Sequence, residues 1–137
     1  MNKKSLIATF ILFTTSWLVG CEKQPGEGGN ATIKGIVKMQ EHIVPSQFEA
    51  SYFAKDYKVY LIFGEDTAFD LDTRTSYDGS FAFESLRTGK YQIFVYSDCF
   101  PPDPNCDDSG IETVIQSIEI TKSNQEVLLD TLIVKKW

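Results

Sequence analysis

This sequence is poor in the residues from which most active sites are assembled. Among its 137 residues there is one histidine, His42, so neither a zinc cluster of imidazoles nor a second histidine for a catalytic pair is present. No G-x-S-x-G stretch occurs, and the glycines of residues 26–29 do not lead into a helical pattern that could cradle a phosphate. Basic residues are also few: 13 Lys and Arg stand against 19 Asp and Glu, a net charge of −6. They lie singly apart from Lys135-Lys136, so nucleic-acid phosphates would be repelled. Helical periodicity nowhere persists beyond about two turns. These absences point away from an enzyme, from nucleic acid and from any metal or other cofactor.

What is present begins at the amino terminus. Lys3 and Lys4 precede an apolar run, Leu6 to Leu18, too short to span a bilayer comfortably, and small residues then lead to Cys21. Leu18-Val19-Gly20-Cys21 resembles the lipobox of bacterial lipoproteins. The resemblance implies a signal peptide over 1–20, a lipid on Cys21 as membrane anchor, and a place on the outer membrane of a Gram-negative envelope, facing the periplasm or the cell surface. Without Lys3 and Lys4, 11 basic residues face 19 acidic ones, a charge of −8. Residues 21–30, polar and glycine-rich, read as a flexible tether. Residues 31–137 are long enough for one domain with a proper core.

With Cys21 assigned to lipid, Cys99 and Cys106 remain, enclosing Phe100-Pro101-Pro102-Asp103-Pro104-Asn105. In an oxidising compartment a pair this close is expected to form a disulfide. Closing so small a ring stabilises by about 2–3 kcal/mol, and its larger effect is to hold an acidic, proline-rich loop in one shape.

From Ala31 onward, β-branched and aromatic residues cluster between turn signals. Ile33, Gly35, Val37 and Met39 share one face. Tyr57, Val59, Leu61 and Phe63 share another, with Tyr60 and Ile62 opposite, so that strand is expected to be covered on both sides. Phe69, Leu71, Thr73 and Thr75 follow, then Phe81 and Phe83 after the Asp78-Gly79 turn, then Tyr91, Ile93 and Val95. Ile111–Thr121, with a bulge expected near Gln116, and Val127–Val134 complete seven strands. Residues 40–56, with Pro45, read as a long connection carrying a short helical turn around Gln47–Phe53.

The segment Thr73 to Tyr91 carries D-G-x-F-x-F at Asp78-Gly79-Ser80-Phe81-Ala82-Phe83 and L-x-x-G-x-Y at Leu86-Arg87-Thr88-Gly89-Lys90-Tyr91. It resembles the central motif of transthyretin-like modules, including carboxypeptidase regulatory-like and Cna B-type domains, and Ile33-Lys34-Gly35-Ile36-Val37 is similar to their first strand. The resemblance implies an all-β fold: a single antiparallel seven-stranded Greek-key β-sandwich. In Cna B-type relatives a lysine and an Asn or Asp form an isopeptide bond beside an acid. Lys34 and Asp130 sit at comparable positions, but Val95 stands where the acid belongs. Both are therefore expected at the surface, without a cross-link.

Two acidic runs, Glu65-Asp66-x₃-Asp70-x-Asp72 and Asp98 with Asp103, Asp107 and Asp108, lack the spacing of a calcium loop and read as solvated surface. His42 reads as an ordinary surface residue. Tyr52, Phe53, Phe100 and Trp137 fall in loops or at the end, where Phe53 and Phe100 fit either a satellite core or a binding patch. The expectation is a non-catalytic cell-envelope lipoprotein that presents loops to a partner protein or glycan. Tyr52, Phe53, Phe100, Asp103, Asp107 and Asp108 are the candidate contacts. A short fimbrillin-like pilus component and an accessory subunit of an outer-membrane nutrient importer are the alternatives.

Overall fold

A computed structural model describes residues 24–44 and 47–137. The signal peptide expected over residues 1–20, and Cys21, lie outside the described residues. Nine strands occur among them, and no helix: β1 (Glu27–Val44), β2 (Gln47–Phe53), β3 (Lys58–Phe63), β4 (Leu71–Arg74), β5 (Ser80–Leu86), β6 (Gly89–Asp98), β7 (Ile111–Ile120), β8 (Glu126–Leu128) and β9 (Leu132–Lys136).

They form two sheets. One is ordered β4-β3-β6-β7, all antiparallel. In the other, long β1 is the centre: β5 and β2 pair antiparallel with it, while β8 and β9 run parallel to it. The stretch Val127–Val134, expected as one strand, is split by residues 129–131, whose backbone leaves the ladder after Leu129 N–H donates to Lys34 O. Residues of both sheets bury one shared cluster. Ile33, Val37, Phe81, Phe83, Leu132 and Val134 come from the β1-centred sheet, and Val59, Leu61, Tyr91, Ile93, Val95 and Ile120 from the β4-β3-β6-β7 sheet. The period-two faces read from the sequence are therefore the buried faces, because alternate side chains of a strand point to one side. Gly35 is required here: the Phe81 ring lies 2.5 Å from where a Cβ would stand.

Three local expectations are corrected. Residues 40–56 hold no helical turn; β1 continues to Val44 and β2 returns beside it, with register shifts at Glu41/His42 and His42/Val44. Phe69 is not on the core face but about half exposed, folded onto Tyr60 outside the sheet. β7 pairs with β6 residue for residue through Gln116, so the bulge expected there is absent, and the irregular pairings belong to β1.

The described part of the expected tether, from Gln24 to Asn30, is laid against the domain, and β1 begins within it. The cause is Tyr91, fully buried at the start of β6. Its hydroxyl accepts from Gly26 N–H at 2.9 Å and lies 2.8 Å from Arg87 O and 3.2 Å from Gly26 O, either of which can take its proton. Arg87 N–H in turn donates to Gly26 O at 2.8 Å. A phenol four residues after the carbonyl it bonds is a recurrent way to pin a corner between strands.

Candidate functional site

The two ends of the molecule differ. At one, Pro25 packs on Gly89, and Gly64 N–H donates to Lys90 O. At the other, β1, β6 and β9 finish and β7 starts, around the loop closed by Cys99–Cys106. That disulfide is formed, with Cα atoms 5.5 Å apart. Cys99 is buried, its N–H donates to Gly110 O, and Cys106 N–H donates to Asp103 O. The ring is thus a braced loop. Ser97, buried, ties the two sheets together beneath it, accepting from Lys135 N–H at 2.8 Å.

Over this base the side chains of four segments converge. The rings of Phe48, His42, Trp137 and Phe100 form a chain with successive centroids 5.8, 4.6 and 5.9 Å apart. A small cleft of about 200 Å³ opens among His42, Phe100, Asp103, Lys135 and Trp137. Both imidazole nitrogens of His42 and Nε1 of Trp137 are shielded from solvent and have no hydrogen-bond partner among the described residues. Buried polar atoms are normally paired, so three together are unusual. His42 is therefore not the plain surface residue expected from sequence. The register shifts that end β1 turn it toward Trp137, an effect with no sequence signature.

The candidate contacts separate. Phe100 and Asp103 line the cleft. Tyr52 and Phe53 lie on β2, not in a loop, and being adjacent in a strand they face opposite sides. Tyr52 is registered with Met39, while the Lys38 ammonium sits 5.3 Å from the Phe53 ring centre. Phe53 and Phe100 remain about half exposed, so neither is a satellite core residue. Asp107 builds the loop: its Oδ1 accepts from Ser109 N–H and Oγ–H and from Ile111 N–H, all within 2.9 Å. Those bonds, the Ser109 hydroxyl foremost, hold its carboxyl below the usual range. Asp108 is exposed. Lys34 is a surface residue paired with Glu126 at 2.7 Å, and no group of three or more metal-ligating side chains occurs among the described residues.

A second feature was only half legible in the sequence. On the outer face of the β4-β3-β6-β7 sheet, Tyr60 stacks on Phe94 with centroids 4.8 Å apart. Phe69 and Tyr96 meet Tyr60 edge-on at 4.9 and 5.5 Å. Even positions of β3 and β6 supply Tyr60, Phe94 and Tyr96, and Phe69 joins them from the segment before β4. It covers β3 on its second side, as the apolar Tyr60 and Ile62 suggested.

No family model matches the chain, and no curated protein matches it at a significant level. Among solved structures it is similar to a candidate carbohydrate-binding protein of Pseudomonas aeruginosa, at 18% identity over 77% of this chain and 90% of that one, with a TM-score of 0.45. It is also similar to (S)-allantoin synthase, at 11% identity over 80% of this chain but only 43% of that one, with a TM-score of 0.42. Likeness at this level leaves the question of a ligand to the chain's own geometry.

Proposed function

We propose that this protein is a non-catalytic binding module of the bacterial envelope, lipid-anchored through Cys21, which meets a partner at the cleft beside the Cys99–Cys106 loop. The observation that carries the reading is the opposition of the two ends. The chain leaves the anchor side where Gly26 is bonded to Tyr91. The 16 residues of β1 from Glu27 to His42 then cover at most roughly 50 Å at the rise of an extended strand. A domain held at Gln24 and Pro25 would turn its cleft away from the membrane. Loops on a rigid scaffold are where binding residues concentrate, and here the disulfide limits the entropy lost on binding.

We read the fold as a transthyretin-like β-sandwich. The support is the strand order: β5-β1-β8/β9 facing β4-β3-β6-β7 leaves seven strands once β8 and β9 count as one and β2 is an added hairpin arm. The D-G-x-F-x-F and L-x-x-G-x-Y segments fall on β5 and β6, as that resemblance requires. The single histidine has no acid or nucleophile bonded to it among the described residues, which favours holding over transforming.

The test is photo-cross-linking in bacterial cells that carry the protein, with a benzophenone amino acid at position 100 or at exposed Glu84. A discrete adduct from position 100 and none from 84 is the expected result. Equal labelling from both positions would overturn the cleft as the binding site. Cys21→Ala should release the protein from membrane fractions, and retention there would remove the lipid anchor.

A further inference from the structure

The cleft has a charge and a size, and together they select a ligand chemistry. Its walls are the rings of Phe100, Trp137 and His42, and the π faces of the phenylalanine and the tryptophan attract cations. Lys135, the one cation lining it, is already matched by Glu112 at 3.1 Å, and neighbouring Lys136 by Glu41 at 3.5 Å. Asp103, also in the lining, has no cationic partner among the described residues. Asp98 accepts from the backbone N–H of Trp137 at 3.4 Å, and Asp107 and Asp108 stand on the loop that carries Asp103, which contains no basic residue. The potential at the mouth is therefore negative. The volume of about 200 Å³ falls below the roughly 300–1,000 Å³ typical of small-molecule sites, a size suited to one side chain.

We propose that the cleft takes the charged side chain of a lysine or arginine displayed by a polypeptide partner, its cation between the aromatic walls and Asp103. This rests on the reading of the cleft as the binding site. The aromatic faces bind the apolar stem and the cation together, while a carboxylate or phosphate would meet Asp103 and an already paired Lys135.

The probe is Nα-acetyl-lysine-N-methylamide, with the norleucine analogue as neutral isostere and a neutral oligosaccharide for comparison. The full chain in detergent carries Trp17→Phe, so that Trp137 is the only tryptophan whether or not residues 1–20 are removed, and its emission reports occupancy. The lysine amide should change that emission saturably and the norleucine amide should not. Asp103→Asn and Phe100→Leu, both at solvent-facing positions, should each raise the dissociation constant about two- to fivefold, as expected for one exposed cation–π or charge contact. Salt at 0.5 M should weaken binding further. Equal binding of the norleucine amide, or tighter binding of the oligosaccharide, would overturn the cation. If position 100 still cross-links a partner in cells while the lysine amide leaves Trp137 unchanged, the binding module stands and the cation falls. If both fail, both readings fall.

Discussion

Tyr91→Phe isolates one hydroxyl whose work can be counted. The phenyl ring would keep its place in the core, so no cavity forms and little apolar burial is lost. What disappears is one bond accepted from Gly26 N–H and one donated to Arg87 O or Gly26 O. Each is worth about 0.5–1.5 kcal/mol net, and the Gly26 N–H is left buried without a partner, so the loss should be about 2 kcal/mol. At about 4–8 °C per kcal/mol for a domain near this size, the melting midpoint should fall by roughly 10 °C. Urea unfolding followed by circular dichroism gives the energy, with the slope unchanged. Tyr60→Phe is the control, because that hydroxyl has no partner among the described residues, and it should cost under about 0.5 kcal/mol. Burial also holds the Tyr91 phenol above its ordinary range, against the opposing pull of its bond with Gly26 and of Arg87. With the folded-state value raised, this contribution is complete below the ordinary phenol range and is lost as pH rises through the raised value. Tyr91→Phe should remove that share of the alkaline loss and leave the share of Tyr57, whose phenol is raised by burial and by Asp98. A loss under about 0.5 kcal/mol, or Gly26 N–H exchange as fast in the parent protein as in the variant, would refute the pinned corner.

Two further outcomes follow from the cleft. Cys99→Ser with Cys106→Ser opens the ring closed across a sequence separation of 7, and the chain-entropy relation gives a loss of about 2.5 kcal/mol. The variant should also lose contact between Phe100 and Trp137, and unchanged Trp137 emission would show that the loop is held by packing alone. Asp107 is titrated by NMR: its carboxyl, lowered first by the Ser109 hydroxyl, stabilises the 107–111 turn above the usual carboxylate range. That contribution disappears as pH falls through the lowered value, so Ile111 N–H exchange should accelerate only in strong acid. Acceleration beginning near pH 5 would place the turn's stability elsewhere.

Much of the fold was legible because period-two patterning reports local geometry. Ile33, Val37, Val59, Leu61, Phe81, Phe83, Tyr91, Ile93 and Val95, all read as inward-facing, are buried. The disulfide pairing was legible from the short spacing of Cys99 and Cys106 together with the oxidising compartment that the resemblance at Cys21 implies. Where the reading failed, non-local pairing had overruled local signals. Pro45 and weak alternation suggested an irregular connection, yet the free edge of β1 gives Gln47–Phe53 a strand to pair with. Phe69 alternates with Leu71 and so seemed inward-facing, but it precedes β4 and is drawn out to Tyr60. In Val127–Val134 the periodicity was right and the continuity was not.

The candidate site shows the same division. By composition alone the chain already lacked a histidine pair and a cationic surface, and the sequence placed Phe100 and Asp103 in a loop bounded by cysteines, since these depend only on residue identity and spacing. Which aromatic meets which acid is decided by where strands end. His42, Phe48, Phe100 and Trp137 are scattered over the 96 positions from 42 to 137 and share no motif. They meet because β1, β6 and β9 finish at one end of two packed sheets, and the register shifts of β1 turn His42 onto Trp137. The cleft itself, the matching of Lys135 by Glu112 and the unpartnered ring nitrogens are properties of that meeting and exist only in the folded chain.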